Sequence, residues 1–190
     1  MSTLIALYSS RPQSGKSTIA RHMVRQHGFS RVSFARTIRA MVRVLVRCFV
    51  PADQVEDWID GPCKEDPVPG LGTSVRRLLQ TLGTEWGREM ISPDIWVAAA
   101  WREVAVPDRV VIDDMRFKNE FEMVKKMGGL CVQVERKDRS ATVSPNHASD
   151  GALEGFPFDW RFDLDEGPDV LHAAADTLAI GSALPEDLRW

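Results

Sequence analysis

Residues 4–18 read Leu4-Ile5-Ala6-Leu7-Tyr8-Ser9-Ser10-Arg11-Pro12-Gln13-Ser14-Gly15-Lys16-Ser17-Thr18. A short apolar run enters a tight turn, and the turn closes in Gly-Lys-Ser at the head of a helical pattern. This is the layout of a P-loop, in which backbone N–H groups and a helix N-terminus wrap a phosphate chain. Gly15 lets the backbone approach the phosphates, Lys16 can reach the β and γ oxygens, and Ser17 can place its hydroxyl on Mg²⁺. Ser14 and Thr18 complete the cradle. The first glycine of the usual pattern is replaced by Ser10, at a place that often asks for an unusual backbone angle.

Outward from this turn, strand and helix signals alternate, as in βαβ units around a mostly parallel sheet. Residues 3–9 read as a strand and 15–26 as a helix with Ile19, Ala20, Met23 and Val24 on one face, ended by Gly28. Val32-Ser33-Phe34-Ala35 predicts a second strand. Over 36–49 the residues Ile38, Met41, Val42, Leu45, Val46 and Phe49 fall at helical spacing, with Arg36, Arg39, Arg43 and Arg47 on another face. Residues 61–72 carry three prolines and read as a loop. Ser74 predicts an N-cap. Ser92-Pro93 predicts an N-cap with proline in the first helical position. Val110-Val111-Ile112 is apolar enough for the interior of a sheet. A helix over 117–127 stops at Gly128-Gly129, a fourth strand covers 130–134, and a last strand and helix begin near Trp160 and Gly167-Pro168. Residues 137–157 are polar and irregular, too long for a plain connection, and read as a lid.

Composition narrows the classes. The 190 residues suit one domain with a full core, and 44% hydrophobic with 27% charged residues is ordinary for a globular protein. A net charge of −3 argues against a dedicated nucleic-acid binder. Cys48, Cys63 and Cys131 form no CxxC pair and fit reduced core thiols in a cytoplasmic setting. No signal-peptide pattern opens the chain, and no apolar run approaches the ~20 residues of a membrane span.

Two further constellations carry chemistry. The strand ending in Asp113-Asp114 places carboxylates where α/β sheets bind ligands and where a P-loop protein supports Mg²⁺. Arg116 follows two residues on, suited to bidentate phosphate contact; the plainer reading is an i,i+4 surface pair with Glu120. Residues 74–96 set Arg76, Arg77 and Arg88 beside Trp86 and Trp96, a combination suited to a nucleobase joined to a phosphate. From composition alone, an amphipathic helix with tryptophans in the core is the favoured explanation.

The P-loop, Ser-Val-Arg-Arg-Leu-Leu-Gln-Thr-Leu-Gly-Thr (74–84), Asp-Ile-Trp-Val (94–97), Asp-Met-Arg-Phe-Lys-Asn-Glu (114–120), Gly-Gly-Leu-Cys-Val-Gln-Val-Glu-Arg (128–136) and Asn-His-Ala-Ser-Asp (146–150) occur in one order. Together they resemble the phage-type deoxynucleoside monophosphate kinases. The resemblance spans residues 4 to about 178 and implies the P-loop nucleoside monophosphate kinase fold. One domain would hold a core at about 1–35, 105–136 and 158–180, an acceptor-binding arm at 36–104 and a lid at 137–157. It implies transfer of the ATP γ-phosphoryl group to a deoxynucleoside 5′-monophosphate, with Mg²⁺.

By position, the resemblance makes Lys16, Asp114, Arg116 and Arg136 catalytic. Ser14, Gly15, Lys16, Ser17, Thr18, Arg136 and Arg139 would bind ATP, with Ser17 on the metal. Arg39, Arg76, Gly83, Thr84, Trp96, Asp114, Arg116 and Glu120 would bind the acceptor, and His147 matches a recurrent lid-end histidine. The implied partners are ATP and deoxynucleotides, with neither membrane nor stable nucleic acid; a homodimer is left open. The implied location is the cytoplasm, that of the host if a phage encodes the chain. Two rivals stand: a kinase of this fold for another small phosphate acceptor such as phosphomevalonate, and a non-enzymatic nucleic-acid-binding P-loop module suggested by the Arg36/39/43/47 stripe.

Overall fold

A computed structural model describes residues 3–11, 14–105, 107–136, 152–164 and 167–182. The chain divides into two compact units, Met1–Ser33 with Trp101–Trp190, and Phe34–Ala100.

The first unit is built on a five-stranded sheet: β1 (Thr3–Tyr8), β2 (Ser30–Val32), β3 (Arg109–Ile112), β4 (Leu130–Arg136) and β5 (Trp160–Leu164), in the order β2-β3-β1-β4-β5. Every pairing is parallel. Strand β1 is central, which is why its residues Leu4 to Tyr8 are buried without alternation. The chain steps from β1 outward to one side and later returns to the other, so the sheet's switch point lies at the C-terminal end of β1, where such sheets bind ligands. Helices α1 (Lys16–His27), α6 (Lys118–Lys126) and α7 (Pro168–Gly181) flank the sheet. Ile19, Ala20 and Met23 of α1 share one apolar cluster with Leu171, Ala174, Ala175 and Leu178 of α7 and Ile5, Leu7 and Val132 of the sheet.

The second unit comprises α2 (Arg36–Val46), α3 (Val55–Ile59), a 3-10 turn at Pro62–Glu65, α4 (Val75–Thr81), a π-helical segment at Leu82–Ile91, and the start of α5 (Ile95–Val104). Its core gathers Val42, Val46, Val50, Val55, Ile59, Val68 and Val75.

Several local expectations shift. Strand β2 ends at Val32 because its partner β3 ends at Ile112, opposite it in register; Phe34 and Ala35 instead form the turn into α2. In α2 only Ile38, Val42 and Val46 are buried, while Met41, Leu45 and Phe49 are exposed, so the buried stripe is narrower than the spacing implied. Val24 of α1 is likewise exposed. The 3-10 turn lies inside the expected loop, and α3 precedes that loop in a stretch for which no element was expected. Ser74 does cap α4, its hydroxyl accepting from the Arg77 N–H. Pro93 precedes α5 rather than opening it, because the Ser92 N–H is still bonded to the Gly87 carbonyl and closes the π-helical segment. Cys131 is buried, its thiol pushed up to about 12 by burial, but Cys48 is exposed and is no core thiol. Among the described residues no helix is long and apolar enough to cross a membrane.

Candidate active site

The residues expected to cradle phosphate lie at the end of β1, in the described part of the turn that follows and at the head of α1. Gly15 caps α1 in the left-handed conformation, with φ 99°. The angle favours glycine, and a Cβ there would also stand 2.5 Å from Leu171 Cδ2 on α7, which would have to shift. The Gly15 carbonyl accepts from the N–H groups of Thr18 and Ile19 and so starts the helix. Lys16 and Ser17 fill its first turn, where the helix dipole favours an anion. The turn is anchored on β4: Glu135 accepts from the Ser10 N–H at 2.9 Å and from the Ser9 hydroxyl at 3.3 Å. Ser10 therefore sits at a place held by a side chain of the neighbouring strand.

The Lys16 ammonium donates to the Ser14 hydroxyl at 2.9 Å. Burial, and then the Arg116 guanidinium, push its pKa down to about 8, against the opposing pull of Glu135, Asp113 and Asp114. A lysine desolvated in this way gains most from an arriving anion, which restores its charge.

The two strand-end aspartates separate cleanly. Asp113 is buried and accepts both Nε and an Nη of Arg31 on β2, at 2.9 and 2.8 Å. Asp114 accepts the Ser33 hydroxyl at 2.6 Å and is only part-buried. The charge of Asp113 is thus committed to Arg31, whereas Asp114, at the end of the same strand, is held by the Ser33 hydroxyl. Arg116 is exposed just beyond it.

Glu120 departs from its expected role. Its side chain is 2% exposed and turns back to accept the N–H groups of Arg116 and Phe117, at 2.7 and 3.0 Å. It caps α6 and holds the Asp114–Phe117 turn rather than facing an acceptor, because the head of a helix leaves those donors unpaired. Arg136 ends β4; Arg139, His147 and lid residues 137–151 lie outside the described residues.

In the second unit two of the expected acceptor residues, Arg39 and Arg76, lie near Lys64. Arg39 on α2 and Lys64 in the 3-10 turn both approach Asp60 Oδ1, at 3.5 and 3.6 Å. Arg76 on α4 pairs with Glu65. Burial, then Arg39, and more weakly Arg76, hold Lys64 below the ordinary lysine value. Three cations thus share two carboxylates, and a phosphate would relieve the excess.

Trp96 is a correction. It is 1% exposed, donates its indole N–H to the Gly83 carbonyl at 2.7 Å, and lies where a Cβ on Gly87 would come within 2.4 Å of it. Trp86 tilts against it at 6.3 Å between ring centroids. Trp96 is core, and its hydrogen bond holds the π-helical segment that carries Gly83 and Thr84. Gly83 is itself buried and Thr84 half-buried.

A P-loop on the central strand of a parallel five-stranded sheet, with an acid at the end of the adjacent strand, defines the P-loop kinase-like α/β class. The family described as deoxynucleotide monophosphate kinase matches residues 70–157. The deoxynucleoside-5′-monophosphate kinase of Escherichia phage T5 is 34% identical over 97 residues, covering 47% of this chain and 39% of the phage protein, so the match spans well under half of that relative. A protein of Acanthamoeba polyphaga mimivirus, provisionally named deoxynucleotide monophosphate kinase, is 27% identical over 65% of this chain and 69% of its own length. The chain thus resembles the phage-type deoxynucleoside monophosphate kinases. Among solved structures, an unliganded sugar kinase from Janibacter sp. HTCC2649 aligns over 96% of both chains at 13% identity and a TM-score of 0.43, too loose to bear on function.

Proposed function

We propose that this protein is an ATP-dependent deoxynucleoside monophosphate kinase. The observation that carries the reading is the pairing, in one chain, of a P-loop whose lysine is desolvated with a segment, 70–157, that matches the deoxynucleotide monophosphate kinases. The first unit would take the triphosphate of ATP and the second the acceptor.

Phosphoryl transfer asks for in-line placement of two anions and neutralisation of their charge. Lys16 and the open N–H groups at the head of α1 would hold the β and γ phosphates. Ser17 is exposed in that first turn, and Asp114 lies at the end of the strand beside β1. A hydroxyl and one carboxylate suit Mg²⁺, which keeps several waters and takes few protein ligands. When bound with ATP, Mg²⁺ supplies charge neutralisation at the phosphates. Arg39, Lys64 and Arg76 would grip the acceptor phosphate, and Arg116 would face the transferring group. Glu120 fixes the turn that carries Arg116. Arg136 and Arg139 keep their proposed place on the ATP side.

The reading is tested by ADP release measured with the four common deoxynucleoside monophosphates, their ribonucleotides and phosphomevalonate. Turnover with at least one deoxynucleotide is expected. Turnover with phosphomevalonate alone would transfer the reading to the other acceptor class. The nucleic-acid alternative is weakened at the arginine stripe of α2, where Arg43 is held by both carboxylate oxygens of Glu56.

A further inference from the structure

The chain contains four histidines, and three of them meet on α1 and α7. His22 and His27 each bring Nε2 to 2.7 Å from the same oxygen, Oδ1 of Asp176. These three donor atoms lie within 4.8 Å of one another. His172 stacks on His22 with ring centroids 4.3 Å apart. It stands one turn before Asp176 on α7, so both reach the same face of α1. The imidazoles of His22 and His27 are mostly sheltered, at 16% and 22% exposure, while Asp176 is half exposed. A cleft of about 360 Å³, lined by Thr18, Arg21, His22, Arg25, Gln26 and His172, opens His22 to solvent.

We propose that His22, His27 and Asp176 form a site for a divalent transition metal of the zinc type, clamping α1 to α7. Two imidazoles and one carboxylate are the donors such ions take, whereas Mg²⁺ prefers oxygen. Zinc with donors at about 2.0–2.1 Å needs tetrahedral edges of roughly 3.3 Å. The carboxylate must therefore withdraw by about 0.6 Å from each ring nitrogen, for which a half-exposed Asp176 has room, and the two nitrogens, within 4.8 Å of each other, must settle at the same edge length. Water would complete the fourth position. The site would be structural. Leu171, which precedes His172, is the side chain packed against Gly15, so fixing α7 on α1 also fixes the wall of the P-loop turn.

The test uses the full chain without an affinity tag, stripped with chelator and titrated with ZnCl₂ in phosphate-free buffer. One equivalent is expected to bind by calorimetry. At a hundredfold excess over Kd, Tm should rise by about 5 °C or more. Mg²⁺ should give no such rise. His27→Gln and Asp176→Asn should each lose the equivalent, while Cys48→Ser, at an exposed thiol, should keep it. Should a variant fail to fold, Co²⁺ on the wild-type chain gives a second readout: visible d–d bands without a thiolate charge-transfer band. Equal zinc binding by wild type and both ligand variants, a thiolate band, or no binding at all would overturn the proposal and leave three side chains that merely share hydrogen bonds.

Discussion

The indole N–H of Trp96 donates to the carbonyl of Gly83 at 2.7 Å, across a π-helical segment whose Gly87 leaves the space the ring fills. The tryptophan thus stands behind the segment it was expected to work beside. Trp96→Ala should cost about 3–5 kcal/mol of stability, the usual range for emptying a core aromatic site. Trp96→Phe keeps most of the volume but strands the Gly83 carbonyl, and should cost about 1–3 kcal/mol. Urea unfolding of the two variants measures both. A stable Trp96→Ala protein with weakened deoxynucleotide binding would return the side chain to a ligand pocket.

Lys16→Ala should keep the fold and lower kcat/KM by about 10²-fold or more, because its charge acts on phosphates rather than on packing. Thermal melting and steady-state kinetics on the same preparation separate the two effects. A folded variant with ordinary turnover would contradict the P-loop role.

The depressed pKa of Lys16 also sets a pH dependence. With a value of about 8 against the ordinary 10.5, the folded protein releases this proton before the unfolded chain does. Over pH 8 to 10.5 the unfolded state holds more protons at this group, so its contribution to stability rises with pH. Phosphate binding runs the other way, since it needs the ammonium. ATP affinity should hold below pH 8 and fall above it, by up to about tenfold per unit while the bound lysine stays charged. Calorimetric titration between pH 7 and 9.5 reads this directly. Lys16→Arg, which stays charged, should flatten the profile, and an equally steep fall in that variant would assign the effect to another group.

Arg31→Ala should destabilise the first unit by about 2–3 kcal/mol, the scale of lost hydrogen bonds to a charged group, because it leaves Asp113 buried without its bidentate partner. The double variant Arg31→Ala with Asp113→Asn should recover part of the loss. Denaturant midpoints for the two singles and the double form the cycle; strict additivity would show that the pair is not coupled.

Arg39→Ala, Lys64→Ala and Arg76→Ala should each raise KM for the deoxynucleotide by about tenfold or more while changing KM for ATP by less than about twofold, consistent with 1.5–3 kcal/mol for a hydrogen bond to a charged group. Kinetics with each substrate varied in turn gives the split. Comparable losses for both substrates would place the cluster outside acceptor binding.

What the sequence determined by itself is local. A strand running into Gly-Lys-Ser, Ser74 as a cap, Gly28 as a stop and Gly167-Pro168 opening a helix depend on residues within a few positions of one another, and each stands where the pattern put it. The order of elements also pointed to a mostly parallel sheet, since helices follow β1, β2 and β3. The tertiary structure decided which side chain spends its polar atoms on which partner. Asp113 and Asp114 are neighbours with one chemistry, and only Arg31 and Ser33, some eighty residues away, tell them apart. Trp96 could stack on a base or fill a core, and Gly87 made the core available. The imidazoles of His22 and His27 reach one carboxylate only because α7 packs on α1. Local backbone preference is written in adjacent residues, whereas the partner of a polar side chain is set by groups far along the chain that folding brings within 3 Å.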